Sequence, residues 1–367
     1  MRRLVFLLGS GVSIKAGMPR VQEITKVVRS GVCDGKLYRK SSDDSIWDTT
    51  DQRSVYSDSE ESERQDVLRL IQCAYDRCKK FYARDVTYED VAYLIWQVEQ
   101  HLCPNYENVA LVPLTQRLGR LFTDGGRLKE LSIAAGNYIR SVTADFLSKD
   151  PSPLGTMPAL IDLCRDTRFK SVEIFTLNHD RVVEAEFAEA HIPFTDGFDI
   201  RDNDRLYWNA EAFSRPEPRV RLWKLHGGID WSGYSDTGRI GKGGKQIAQI
   251  RGPRILLGGF NKILDYSGGI YLDMFINFRL ALRDTNRIVV SGYGFRDKGI
   301  NRLLLDWWDQ SNASKLCIIH DDPDGCLRNG RGAVEKLIDN PRVVKVWRWF
   351  GDVSATEILS AIGDAKS

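Results

Sequence analysis

The 367-residue chain reads as an α/β protein, with a doubly wound, mostly parallel sheet interrupted by a helical insertion. Three observations predict this. Leu4 to Leu8 is a continuous apolar run closed by glycines, the pattern of a buried parallel strand feeding a turn. From about residue 151 to 350, short apolar runs alternate with stretches of helical spacing. Between these regions, from Gln65 to about Ser148, only helical periodicity is present.

The first strand ends at Gly9 and Gly11, with Gly17 following. Such glycines serve either a plain tight turn or a phosphate drawn close to the backbone. A helix placed after them would offer its free N–H groups to an anion, the logic of a dinucleotide site in a Rossmann-like sheet. The spacing departs from the ordinary fingerprint, because Ile14 stands where the third glycine belongs. Val21, Ile24, Val27 and Val28 then recur at helical spacing, and Gly31 can stop that helix.

Residues 36–64 change character. Asp43, Asp44, Asp48, Asp51, Asp58, Glu60 and Glu61 are mixed with serines, which predicts an exposed acidic loop. An acidic docking segment for a partner is the alternative. In the helical stretch, Val67, Leu70, Ile71 and Ala74 share one face, and Val91, Leu94, Ile95 and Val98 another. Glu89 and Asp90 fall in a first helical turn, where carboxylates interact well with the helix dipole. The expected division is therefore a discontinuous sheet domain (1–35 and 151–350), the acidic loop 36–64 and a helical insertion 65–150.

Asp150-Pro151-Ser152-Pro153 is a break, after which the α/β rhythm returns. Helices are expected at 159–164, 180–190, 271–282 and 301–308. Strands are expected at 172–176, 220–225, 255–257, 287–291, 315–320 and 343–347. The Gly/Lys-rich stretch from Gly238 to Lys245 reads as an exposed loop.

An apolar content of 42% and a charged content of 28% are those of a globular protein. With 52 basic and 50 acidic residues the net charge is +2, so no general attraction to nucleic acid is implied. The seven cysteines form no Cys-x-x-Cys pair, which fits buried reduced thiols better than a zinc module. No run reaches the length of a membrane span. Met1-Arg2-Arg3 precedes too short an apolar run, without a small-residue cleavage site, to be a secretion signal. The chain reads as cytoplasmic.

Ligands of open α/β sheets bind beyond the carboxyl ends of strands. Four polar clusters fall at such ends: Gly9-Ser10-Gly11, Thr176-Leu177-Asn178-His179-Asp180, His226-Gly227 and Gly292-Tyr293-Gly294. On residue chemistry alone, His226 suits either backbone bonding or general-base work, and Asn178 either a turn or a site. Tyr293 suits packing equally well. His179 reads as structural, as do His101, His191 and His320. Trp307-Trp308 and Trp347-Arg348-Trp349 read as core and interface.

In this order these residues resemble the sirtuin superfamily. Gly9-Ser10-Gly11-Val12-Ser13 with Ala16-Gly17-Met18-Pro19 is similar to its nicotinamide-dinucleotide loop. Thr176-Leu177-Asn178-His179-Asp180 is similar to its threonine-x-asparagine-x-aspartate motif, and Leu225-His226-Gly227 to the motif of its catalytic histidine. Gly292-Tyr293-Gly294-Phe295-Arg296-Asp297 with Ile300-Asn301 is similar to the late strand and loop of the bacterial sirtuin-like branch. The four-cysteine zinc module of the deacylases has no counterpart. Pro19 is followed by Arg20-Val21-Gln22 where those enzymes carry aspartate-phenylalanine-arginine. These departures match the sirtuin-like chains of bacterial anti-phage systems, many of which destroy the dinucleotide.

The resemblance implies hydrolysis of NAD, as substrate and without a metal, to nicotinamide and ADP-ribose. It implies Asn178 and His226 as catalytic residues. Gly9, Ser10, Gly11, Val12 and Ser13 would hold the pyrophosphate. Asp180 would fix the Asn178 turn or contact the ribose side, Gly292 and Tyr293 would line the adenosine side, and Thr176 and Asn301 would also bind the dinucleotide. The competing readings are an NAD-dependent protein deacylase and a non-catalytic NAD- or ADP-ribose-binding subunit. A homo-oligomer and a second defence protein, such as a HerA-type ATPase or a short Argonaute, are the implied partners. The helical layer is the candidate surface for assembly.

Overall fold

The structure is a computed structural model that describes residues 2–41, 46–50, 57–103, 108–122, 125–234, 237–243, 249–250, 253–258, 268–329 and 333–364. The strands are β1 (Arg2–Leu8), β2 (Val32–Cys33), β3 (Lys36–Lys40), β4 (Trp47–Thr50), β5 (Phe169–Thr176), β6 (Phe194–Thr195), β7 (Phe198–Asp202) and β8 (Arg205–Trp208). They continue as β9 (Val220–Lys224), β10 (Trp231–Tyr234), β11 (Ile240–Gly243), β12 (Gln249–Ile250), β13 (Arg287–Ser291), β14 (Lys315–Ile319) and β15 (Val343–Val346). The helices are α1 (Val21–Ser30), α2 (Asp58–Phe81), α3 (Tyr88–His101), α4 (Val112–Leu121), α5 (Gly125–Leu147) and α6 (Pro158–Arg165). They continue as α7 (Val182–Glu189), α8 (Gly269–Arg283), α9 (Lys298–Asp309), α10 (Pro323–Asn329), α11 (Ala333–Ile338) and α12 (Ala355–Ala361).

Two compact units emerge: residues 1–18, 147–256 and 262–367 form the first, and 19–146 with 257–261 the second. The first is built on a seven-stranded sheet of order β15-β14-β13-β1-β5-β9-β6. Every neighbouring pair in it is parallel. Alternate side chains of each strand enter two separate cores. Val5, Leu7, Phe175, Ile288, Val290 and Leu316 pack with Met274 and Phe278 of α8 and Ile300 and Leu304 of α9. Leu4, Phe6, Leu8, Ile174, Leu222 and Val289 pack with Leu160 of α6, Phe187 of α7 and Ile358 of α12. Helices thus cover both faces, which is why β1 is apolar without alternation. Each large apolar side chain buried this way contributes about 1.5–3 kcal/mol. This is the doubly wound α/β class that the sequence predicts.

The expected parallel rhythm omits a second sheet in the same unit. Strands β12-β10-β11-β8-β7 form five antiparallel strands in that order. β11 takes up Ile240–Gly243, where an exposed loop was expected. Residues 244–248 of that stretch lie outside the described residues. The strand expected at 255–257 reduces to one bridge between Gly227 and Ile255.

The second unit holds α1 to α5 up to Phe146, so α1 belongs with the helices and not with the sheet domain 1–35. The acidic loop expected over 36–64 is corrected. β2, β3 and β4 make a three-stranded antiparallel sheet, and α2 begins at Asp58. Tyr38 and Trp47 are buried edge-on against Tyr138, with ring centroids 5.8 and 5.2 Å away. The Tyr38 hydroxyl donates to Asp145 at 2.8 Å. The acidic residues Asp58, Glu60 and Glu61 form the first turn of α2, where Ser57 and Glu60 cap each other's backbone N–H groups. Residues 42–45 and 51–56 lie outside the described residues. Glu89 and Asp90 stand in the first turn of α3 as expected. No described helix is long and apolar enough to cross a membrane. Of the cysteines expected to be buried, Cys78, Cys164, Cys317 and Cys326 are, while Cys33, Cys73 and Cys103 are half-buried.

Candidate functional site

The chain passes from β1 to β5 and β9 on one side, and returns to β13, β14 and β15 on the other. The carboxyl ends of β1 and β13 are therefore where strand order reverses, the usual ligand crevice of such sheets. The loops leaving these strands touch backbone to backbone. Gly9 N–H donates to Ser291 O at 2.9 Å and Gly11 N–H to Gly292 O at 3.0 Å. A Cβ on Gly9 would lie 2.6 Å from Gly292 O, and one on Gly292, at φ +61°, 2.5 Å from Val12 N. These glycines are needed for the contact between the two loops.

The loop itself differs from expectation. A 3₁₀ segment, Ser10–Ala16, follows β1 in place of an α-helix. Val12 N–H donates to Gly9 O at 3.1 Å, so the N–H groups of Gly9, Gly11 and Val12 are all engaged within the protein. Ser10 is exposed at the head of the segment, whereas Val12 and Ser13 are buried.

Asn178 sits just past β5, 6% exposed. Thr176 Oγ1 accepts its backbone N–H at 3.1 Å and shapes the turn. Its Nδ2 donates to Gly9 O at 3.1 Å and to Ser13 Oγ at 3.0 Å. Those two acceptors orient the amide and leave Oδ1 buried without a partner. Asp180 lies near Ser13, and its Oδ1 accepts Val182 N–H at 3.0 Å. Burial pushes the Asp180 carboxyl upward, against the Lys224 ammonium, the Val182 N–H and the Ser13 hydroxyl, which favour its charged form.

Lys224, the last residue of β9, is 1% exposed. Its ammonium bonds to the carbonyl of Asp180 and, at 2.7 Å, to Glu184 Oε1. Burial raises the Glu184 carboxyl and Lys224 opposes it. Beyond lies a second ion group, in which Lys242 Nζ meets Asp196 at 2.6 Å and Asp230 at 3.0 Å. Burial works to raise Asp230, and the Lys242 and Lys224 charges outweigh it and hold that carboxyl low.

His226 lies two residues beyond β9, the strand next to β5. It is 3% exposed, and its Nε2 is 3.0 Å from Asp297 Oδ2. Asp297 caps α9, its Oδ1 accepting Gly299 N–H at 2.8 Å and Ile300 N–H at 3.0 Å. The Tyr293 hydroxyl accepts Asp297 N–H at 3.2 Å and lies 2.8 Å from Asn301 Oδ1. Asn301 Nδ2 donates to Phe295 O at 2.8 Å. Tyr293, expected on the adenosine side, and Asn301, expected to bind the dinucleotide, thus spend these polar groups on bracing the 293–301 turn. The His179 ring stands 6.1 Å from that of His226, and its Nδ1 is 3.4 Å from Gly227 O.

Ser13 and Asn178 are hydrogen-bonded to each other beside Asp180, and His226 joins the Tyr293–Asn301 turn through Asp297. Lys224, Glu184 and Asp297 were missed as site residues. Asp297 had a signal, an aspartate just before a helical stretch, which is a capping pattern. Lys224 and Glu184 had none, since a lysine closing a strand is ordinarily exposed. A cavity of about 510 Å³ lies at the opposite ends of β1 and β13, lined by Arg3, Asp284, Arg287 and Asp364. Its guanidiniums are paired, Arg3 with Asp284 at 3.3 Å and Arg287 with Asp364 at 2.8 Å, and it is remote from this cluster. Among the described residues no group of three or more His, Cys, Asp or Glu side chains is arranged to hold a metal ion.

No family model matches the chain, and no curated protein matches it. Among solved structures it is similar to one described as a Sir2 homologue–NAD complex, at 11% identity and TM-score 0.42, over 98% of this chain and 89% of that one. It is similar also to one described as Sir2 bound to acetylated peptide, at 11% identity and TM-score 0.40, over 99% of this chain and 94% of that one. A third, from work on the mechanism and regulation of Sir2 enzymes, aligns at 11% identity and TM-score 0.41 over 99% and 93% of the two chains. At these values the likeness assigns neither activity nor ligand.

Proposed function

We propose that this chain is a sirtuin-like NAD hydrolase that cleaves the bond between nicotinamide and ribose. The observation that carries the reading is Asn178. A buried amide clamped by Gly9 and Ser13, with an unsatisfied oxygen, sits at the strand ends where such sheets bind ligands. An unpaired buried acceptor costs about 1–3 kcal/mol, which a ligand hydroxyl donating to it would recover. His226, a carboxylate-paired imidazole, stands past the end of the adjacent strand.

In this reading the C1′–N bond breaks with its electron pair going to nicotinamide, which leaves neutral. The sugar passes through an oxocarbenium-like state and gains an oxygen from water. Asn178 Oδ1 accepts a hydrogen bond from the attacking water or a ribose hydroxyl, and His226 takes the proton. Ser10 and the rest of the Gly9–Ser13 loop face the pyrophosphate. Thr176 and Asp180 hold the Asn178 turn, and Gly292, Tyr293 and Asn301 shape the adenosine side through the loop they brace. The role is that of a cytoplasmic anti-phage effector, self-assembled and switched on by a second defence protein.

Chromatography of products formed from NAD tests the reaction, with wild type run beside Asn178→Ala and His226→Ala, with and without an acetylated peptide. Nicotinamide and ADP-ribose are expected from wild type assayed with its activating partner, regardless of peptide. A fall of about 10²–10⁴-fold is expected in His226→Ala. Nicotinamide formed only with peptide would refute hydrolysis in favour of deacylation. Unchanged turnover in His226→Ala would remove that residue from the mechanism.

A further inference from the structure

We propose that Asp297 is the positioning residue for His226: its carboxylate accepts the imidazole Nε2–H, so that Nδ1 is the nitrogen that takes the proton. The assignment rests on the NAD hydrolysis reading above. Three observations carry it.

First, Nε2 and Oδ2 are 3.0 Å apart and the two side chains are only 4% and 5% exposed. A hydrogen bond shielded from water in this way is strong. Second, Asp297 does more than a helix cap requires. Capping uses Oδ1, which accepts the N–H groups of Gly299 and Ile300. The other oxygen is turned on His226. Third, the carboxylate is held from both directions along the chain. The Tyr293 hydroxyl grips the Asp297 backbone, and α9 is anchored in the core through Ile300, Leu304 and Trp307. A group fixed on a packed helix orients its partner more tightly than one on a loop.

A carboxylate on the far nitrogen of a histidine base fixes its tautomer and orientation and stabilises the imidazolium, without taking the proton itself. Here the water oxygen bonds to C1′ as the C1′–N electron pair leaves with nicotinamide. The water proton passes to Nδ1 and later to solvent, while Nε2–H stays directed at Asp297.

Asp297→Asn is the informative variant. Asparagine caps helices as well as aspartate does. With its oxygen kept on the helix N–H groups, its NH₂ faces His226 and demands an acceptor at Nε2. The imidazole is then driven to the Nδ1–H tautomer, in which the base nitrogen is already protonated. ¹⁵N NMR of the neutral imidazole should show Nε2–H in wild type and Nδ1–H in Asp297→Asn. The kcat should fall about 100-fold or more, with KM for NAD within about three-fold of wild type.

Asp297→Glu restores the charge on a poorer cap. It should melt below Asp297→Asn, yet turn over NAD faster. If kcat instead follows the order of melting temperatures, Asp297 is structural and the proposal fails. An unchanged tautomer in Asp297→Asn also overturns it. Absence of NAD turnover in wild type, both alone and with the activating partner recovered from the native host, refutes the reaction, and the tautomer comparison then decides the Asp297–His226 pairing separately.

Discussion

Replacing Lys224 with methionine should destabilise the sheet-bearing unit by about 3–5 kcal/mol, the cost of breaking one partner out of a buried ion pair. The estimate follows from the contacts. Lys224 and Glu184 side chains are 1% and 15% exposed, and their charged atoms are 2.7 Å apart. Methionine fills much of the same volume, so packing changes little. What is lost is the ammonium opposite Glu184 Oε1 and the donor to the Asp180 carbonyl. A charge-assisted hydrogen bond is worth about 1.5–3 kcal/mol, which makes the total consistent with the two contacts together. Glu184→Gln in the same background removes the stranded carboxylate and should recover about 1–3 kcal/mol. The loss should also shrink in acid. The folded-state pKa of Glu184 is raised, so its charged form opposes folding at high pH, and protonation relieves this as pH falls through that pKa. Removing Lys224 raises it further. Urea unfolding of wild type, both single variants and the double variant, at pH 8 and pH 5, measures all of this. A Lys224→Met loss below about 1 kcal/mol, or a double variant no more stable than that single one, would refute the pairing as a source of stability.

Gly292→Ala tests the junction of the two loops. The new methyl would meet Val12 N at 2.5 Å with φ at +61°, so a loss of about 1–3 kcal/mol is expected, read as a lower melting temperature. An unchanged melt would show that the loops can part without cost. His320 supplies a pH test. Its Nδ1 accepts Asp322 N–H at 2.9 Å, and burial lowers its pKa against the pull of Asp321 and Asp322. A depressed histidine adds stability that is present above its unfolded pKa of about 6.5 and is lost as pH falls through the lower folded value. The urea midpoint of wild type should therefore drop on acidification below pH 6.5, and that of His320→Gln should drop less. Equal slopes would refute the assignment.

The frame of the fold is legible in the chain alone. Five consecutive apolar residues at Leu4 to Leu8 cannot face water on either side, so a strand buried on both faces and a layered α/β fold follow from them. The strands expected at 172–176, 220–225, 287–291, 315–320 and 343–347 were legible as short apolar-rich runs between stretches of helical spacing. So were the ends where polar residues collect, and hence Asn178 and His226 as candidates. Short antiparallel strands were not legible. In β3 and β4 the buried anchors, Tyr38 and Trp47, are single residues in an acidic, serine-rich stretch, and local composition averages them away. Asp58, Glu60 and Glu61 signalled a loop where they form the first turn of α2, with Glu60 in its cap.

The side-chain pairings arise from the three-dimensional arrangement. Asp297 meets His226 across 71 residues of chain, and Lys224 meets Glu184 across 40. No periodicity encodes such distances. They follow from the order in which strands lie side by side, which places loops far apart in sequence at one edge of the sheet. The same order brings Gly9 and Gly11 into backbone contact with Gly292, because the loop that faces them comes from the neighbouring strand β13.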